Sequence, residues 1–294
     1  VFLVRDELKQ VAVKIFPFRL REREGSNAAE MKDRNKKLSH EWTFLQSRIN
    51  ELNHPALVRI RDYFQYEEHD ETSEVASYAV LYMDYWPTNL KSWVDQQFSR
   101  NRHTKARKFA VLTSLAEQLQ RLKDDRNLLV VDLKLGNILV RETGNSALAL
   151  AITDFGGISR AGSSSVKRVE STVQYLAPEL HEDAQWEIDE TALVYSFGLI
   201  AFYVLEGREV FQDSGSEEPT YLALRKRGPD WNTENAAVED DLRTIVTRCL
   251  AQQREARYAT FAELAQSLRE ARQLRYRGPA LYCDLHTAGL AMRM

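Results

Sequence analysis

Cysteine is almost missing from this 294-residue chain: Cys249 and Cys283 stand 34 positions apart and form no CxxC pair. That excludes a disulfide-stapled miniprotein and points to a reducing, cytoplasmic setting. The six histidines show no metal-ligand spacing. Neither charge is in excess. Forty basic against 43 acidic residues leave a net charge of −3, so no global field draws the chain to nucleic acid or to an anionic membrane. Long apolar runs are missing as well. The longest, Ala192 to Leu205, contains Tyr195, Ser196 and Tyr203 and stops at Glu206. It falls short of the roughly 20 residues that a spanning helix needs, so it reads as a buried core helix and not as a membrane segment. The chain also has no initiator methionine and no signal peptide, and it opens in mid-pattern at Val1. A piece of a longer protein with further domains is expected. There is no internal repeat, and no low-complexity tract beyond Ser163-Ser164-Ser165.

What is present is the mix of a globular protein: 44% apolar, 10% aromatic and 28% charged residues, enough to build a sizeable core. Val1 to Val4 and Val11 to Phe16 read as two β-strands joined by a charged turn, with Pro17 closing the second. The polar stretch Arg19 to Asn35 reads as a solvated loop. Leu38, Trp42, Leu45, Ile49 and Leu52 then mark one helical face. Two further strands are expected over Leu57 to Phe64 and Ser77 to Met83, with the acidic segment Glu67 to Glu74 as an exposed hairpin loop between them. Beyond Pro87 the period becomes helical: Val111, Leu115, Leu119 and Leu122, and later Phe261, Leu264, Leu268 and Ala271. Short strands over Asn137 to Val140 and Leu148 to Ile152 interrupt the helices. The organisation is α+β, with a strand-rich lobe over residues 1–84, a helical lobe over 85–274, and a tail or linker over 275–294.

Chemistry concentrates in three places. Val11-Ala12-Val13-Lys14 ends an apolar run on a lysine. Val131-Asp132-Leu133-Lys134-Leu135-Gly136-Asn137 offers an aspartate, a lysine two residues on and an asparagine five residues on. Asp154-Phe155-Gly156 supplies a second carboxylate beside a glycine, and Ala177-Pro178-Glu179 places a glutamate 25 residues after Asp154.

In order and at family spacing, these segments resemble the V-A-I-K, H-R-D-L-x-x-x-N, D-F-G and A-P-E signatures of the eukaryotic-like serine/threonine protein kinase catalytic domain, the second of them altered. The resemblance covers about residues 1–274. It implies a two-lobed fold: a small antiparallel sheet with one helix, then a larger helical lobe. The sequence starts just after the family's glycine-rich loop, so that loop and the first strand are expected to lie outside it. The implied activity is transfer of the ATP γ-phosphate to a protein hydroxyl, with ATP and magnesium as cofactors. Asp132 matches the carboxylate that orients the acceptor hydroxyl, and Lys134 lies near the transferred phosphate. Thr172 matches the threonine that braces both, and this set favours a serine or threonine acceptor. Lys14 matches the lysine that reaches the phosphates. Asn137 and Asp154 match the magnesium ligands, in keeping with that ion's demand for a few oxygen donors and several waters. Val1 and Ala12 are expected to roof the adenine and Leu139 to floor it. Met83 is expected as gatekeeper, with the backbone of Asp84 and Trp86 bonding the adenine edge. Arg257, eight residues after Cys249, matches a structural partner of Glu179.

The pattern breaks at three positions. The helix glutamate that pairs with the strand lysine normally falls nine residues before the histidine of the His-Pro step, where Leu45 stands. Glu41, one turn earlier on the same face, is the expected partner of Lys14. The family's H-R-D is Val130-Val131-Asp132, and Leu193 replaces an aspartate that anchors the catalytic loop. Apolar packing among Val130, Val131 and Leu193 can replace that anchor without burying an unpaired charge. The alternative reading of these losses is a pseudokinase that binds nucleotide or serves as a scaffold.

Overall fold

A computed structural model describes residues 2–6, 9–19, 28–69, 75–100, 104–143, 148–162, 173–182, 188–210, 229–231 and 240–273. Strands β1 (Phe2–Asp6), β2 (Lys9–Arg19), β3 (Ile60–His69) and β4 (Val75–Asp84) form an antiparallel sheet in the order β1-β2-β4-β3. Alternation sets its faces. Ala79, Leu81 and Met83 of β4 are buried on one face, and the register puts Met83 opposite Ala12 and Leu81 opposite Lys14. Helix α1 (Ala28–Arg48) packs on the sheet, where the Trp42 ring meets Phe16 at 5.6 Å and Tyr63 at 6.0 Å, both edge-on.

The first lobe differs from the sequence reading in four ways. Strand β2 runs through Pro17 to Arg19. Pro17 lies past Val13, the last β2 residue paired with β1, so a missing N–H breaks no ladder on that side among the described residues. Helix α1 begins ten residues before Leu38, because Ala28-Ala29-Glu30-Met31-Lys32 combines strong helix formers. Glu67 and Glu68 pair with Ser77 and Ala76 within the hairpin and are not loop residues. Leu57 is not in β3; it forms a parallel bridge to Ile152.

That bridge ties the two halves together. Val58 donates its N–H to Ile152 O and Ile152 donates to Ala56 O, at 2.9 and 2.8 Å. Ala56 N–H also donates to His54 Nδ1, which leaves the ring proton on Nε2 to reach Asp125 at 3.1 Å. The connection after α1 is therefore stapled both to a strand and to a helix of the second half.

The second half contains β5 (Thr88–Asn89), α2 (Leu90–Ser99), α3 (Lys105–Arg126), β6 (Leu128–Val130), β7 (Ile138–Glu142), β8 (Leu148–Ile152), β9 (Ile158–Arg160), α4 (Glu179–Glu182), α5 (Glu190–Glu206), α6 (Asp240–Cys249) and a helix over residues 261–273. Asn137 belongs to a 3-10 turn ahead of β7 and not to the strand, and β6 pairs antiparallel with β9. Every residue of α5 from Ala192 to Leu205 is buried, which makes it the axis of this half. Asp189 caps its N-terminus through Ala192 N–H, and Gly207 ends it at φ 69°, a conformation that favours glycine. No helix among the described residues is long and apolar enough to cross a membrane.

Arg257 locks the segment that leads into α4. Its fully buried guanidinium donates to both Glu179 oxygens at 2.7 and 2.9 Å, and to the carbonyls of Ala251, Gln252 and Thr191. Burial alone would raise the Glu179 carboxyl, but the Arg257 hydrogen bonds and charge outweigh it and hold the group below its ordinary value of 4.5. A depressed folded pKa stabilises above the unfolded value, and that contribution is lost as pH falls through the folded one. Glu179→Gln is therefore expected to lower unfolding free energy by about 3 kcal/mol at pH 7. Urea titrations should show this deficit shrinking as pH drops below 4.5.

Candidate active site

Lys14 shares the inner face of β2 with Ala12 and Phe16 and so points at the second half of the chain. Its ammonium lies 2.9 Å from Asp154 Oδ1, with the two side chains 30% and 40% exposed. A pair this open to water contributes about 0–1 kcal/mol, so either partner can be exchanged for a ligand at little cost. Asp154 sits at φ 68° and ψ 74°, a left-handed conformation that aspartate tolerates better than most residues. A 3-10 turn over Phe155–Gly157 follows it directly.

The second carboxylate lies on the loop after β6. Asp132 is buried, and its Oδ2 accepts from Lys134 Nζ at 2.7 Å and from Asn137 Nδ2 at 3.2 Å. Asn137 Nδ2 also donates to Asp132 O at 3.0 Å. With its NH2 committed to Asp132, the Asn137 amide presents its oxygen as an acceptor. Thr153 N–H donates to Asn137 O at 2.8 Å, which sets Asn137 against the residue preceding Asp154. One carboxylate and one amide oxygen thus come from adjacent backbone, a donor set of the kind that magnesium accepts beside phosphate oxygens and water.

The two carboxylate loops are joined through Gly157. Its carbonyl accepts from Val131 N–H at 2.6 Å and Asp132 N–H at 3.4 Å, while its own N–H donates to Asp154 O at 3.2 Å. Val130, Val131 and Leu193 are all buried in one hydrophobic cluster. The end of the neighbouring segment is held by Ser196 Oγ, which donates to Tyr175 O at 2.7 Å.

Beside this centre, Ala12 faces Met83 across β2 and β4, and Leu139 pairs with Asn89 across β5 and β7. Met83 is buried, whereas Ala12, Leu139 and Trp86 are half-buried against the core. The connection between the halves is gripped from one side. Asp84 accepts Arg61 Nε at 2.5 Å, and Arg141 donates to Tyr85 O while stacking over the Trp86 ring at 4.4 Å. Arg61 and Arg141 carried no signal in sequence, because surface arginines follow no period. Gly157 left a trace in the doubled glycine Gly156-Gly157. Glu41 lies in α1, but its side chain falls outside the described residues, as do Val1 and Thr172.

The family model for the protein kinase domain matches residues 2–269. The chain is 30% identical over 168 residues to the serine/threonine-protein kinase Pkn1 of Myxococcus xanthus, covering 55% of this chain and 24% of that protein. It is 25% identical over 222 residues to the serine/threonine-protein kinase PknB of Mycobacterium tuberculosis, covering 74% and 33%. It is also similar to the serine/threonine-protein kinase WNK of Caenorhabditis elegans, 26% identical over 215 residues, covering 71% and 11%. The chain thus spans a third or less of the length of these relatives.

Burial of Val131 has a direct consequence. Val131→Arg, which would restore the arginine of the H-R-D signature, puts a guanidinium at a position where the residue is only 4% exposed. We expect it to destabilise the fold by about 3 kcal/mol or more rather than to improve the site. Thermal unfolding of the variant beside the parent protein checks this.

Proposed function

The chain belongs to the protein kinase family, and from that premise we propose that it transfers the γ-phosphate of ATP to a serine or threonine hydroxyl of a protein substrate, with magnesium as the metal. The observation that carries this reading is that Lys14 bonds Asp154 at 2.9 Å, Asn137 bonds Asp132 at 3.2 Å, and the Asn137 carbonyl accepts from Thr153 N–H beside Asp154 at 2.8 Å. Phosphoryl transfer asks a protein for positioning and charge stabilisation more than for covalent chemistry, and each group fits one part of that task. Asp132 accepts the proton of the acceptor hydroxyl and aims its oxygen. Lys134, 2.7 Å from that carboxylate, supplies a positive charge beside the group being transferred. Lys14 offers its ammonium to the nucleotide phosphates, and Thr172 braces the acceptor side. Asp154 and the Asn137 amide oxygen would hold magnesium, which when bound neutralises charge on the phosphate oxygens. Ala12, Leu139 and Val1 sandwich the adenine, Met83 closes the back of its pocket, and backbone groups of Asp84 and Trp86 bond its edge. Glu41 is the α1 carboxylate assigned to Lys14. A serine or threonine acceptor is supported by Lys134 and by the names of the relatives, and a cytoplasmic location by the sparse cysteines.

A nucleotide-binding or scaffold role is the second reading, and Val130-Val131 with Leu193 is what favours it. Those residues are buried, and Lys14, Asp132, Asn137 and Asp154, the groups assigned to nucleotide, metal and acceptor, are all retained, so the enzyme is the better conclusion.

Magnesium-dependent transfer from labelled ATP to serine and threonine peptides tests the proposal. Asp154→Asn and Lys14→Met are each expected to fold, by circular dichroism, and to lose about 10²–10³-fold in turnover, the scale seen when one charge-stabilising group is removed. A folded Asp154→Asn protein with most of its activity overturns the metal assignment. A parent protein that binds nucleotide and transfers no phosphate supports the scaffold role instead.

A further inference from the structure

We propose that Gly157 is a positioning residue for Asp132: its bare Cα and its carbonyl together set where the acceptor-side carboxylate sits. A Cβ added at residue 157 would lie 2.7 Å from Asp132 Cβ, 3.2 Å from Asp132 N and 3.4 Å from its Cα. The first distance is far inside van der Waals contact. The atoms met are the backbone of Asp132 and the carbon that carries its carboxylate, not the yielding end of a long side chain. Gly156, one residue earlier, has nothing within 4 Å of an added Cβ. Of the two adjacent glycines, only the second is required by space.

The carbonyl supplies the other half of the device. Gly157 O accepts from Val131 N–H and Asp132 N–H, and Gly157 N–H donates to Asp154 O. A single residue thus stands between the two carboxylate loops and bonds to both, and the β6–β9 ladder continues from it at the Val130–Ile158 pair.

The chain needs such a restraint for a reason visible in its side chains. Lys134 and Asn137 hold the Asp132 carboxylate here, yet both have work to do on phosphate or metal, so their grip changes as ligand comes and goes. Val131 and Leu193 are apolar and buried, and apolar packing is not directional. The bonds to Gly157 join backbone to backbone and use none of the side-chain atoms assigned to phosphate or metal.

The catalytic half of this inference rests on the kinase reading, and the structural half does not. Amide hydrogen exchange on the parent protein is expected to show Val131 and Asp132 protected. Gly157→Ala should raise exchange at these two amides by about tenfold, while Gly156→Ala leaves them as they are. In the transfer assay, Gly157→Ala is expected to keep its ATP Kd and its nucleotide stoichiometry within about twofold and to lose about tenfold or more in kcat per bound nucleotide. A defect of folding alone would lower stoichiometry and turnover together. Fast exchange at both amides in the parent protein overturns the clamp, even if the variant does not fold. Unchanged kcat per bound nucleotide in Gly157→Ala overturns the positioning role. A parent protein that transfers no phosphate counts against the kinase reading and leaves the exchange result to decide the clamp.

Discussion

Two loops that each carry a carboxylate lie against one another in this site, and their contact is made by backbone. Gly157 bonds Val131 and Asp132 on one side and Asp154 on the other, and the absence of a side chain at 157 lets the chains approach that closely. Much of the second half serves to keep this contact in place. Strand β6 delivers Asp132 and β9 leaves the turn after Asp154, so the two strands pair on either side of the junction. Strands β7 and β8 pair antiparallel, which brings Asn137 and Thr153 together at their ends.

The rest of the fold supplies what those loops lack. Helix α5 gives an apolar axis, with Leu193 in the same hydrophobic core as Val130 and Val131, and its Ser196 holds the Tyr175 carbonyl. Arg257 holds the next stretch by its bidentate pair with Glu179. The sheet of the first half brings Lys14 to Asp154, and the Leu57–Ile152 bridge and the His54–Asp125 bond tie the segment after α1 to the second half. Val130, Val131 and Leu193 are apolar and buried, so no charge is buried without a partner at those positions.

Much of this was legible in the residues. The helical periods at 111–122 and 261–271 became helices whose apolar faces are buried, and the apolar run 192–205 became the core helix α5. Boundaries fared worse where local chemistry misled. Pro17 looked like a strand end because proline removes a donor, but at that point β2 has a described partner on one side and tolerates it. Glu67 and Glu68 looked like loop because they are charged, yet the outer end of a hairpin exposes both faces to water. The pair Arg257–Glu179, implied by the family resemblance, is present at 2.7 Å.

By itself the sequence determined the chemistry on offer and its order: a lysine on a strand, two carboxylates and an amide on loops flanked by strands, and an α+β division, because periodicity and local motif are properties of short segments. Only the tertiary structure decided that Lys14 would meet Asp154, that arginines 61 and 141 would grip the connecting segment from one side, and that the second of two glycines would be the one with no room for a side chain. Those outcomes depend on close approach between segments up to 140 residues apart, and such distances are set by packing, which no local pattern encodes.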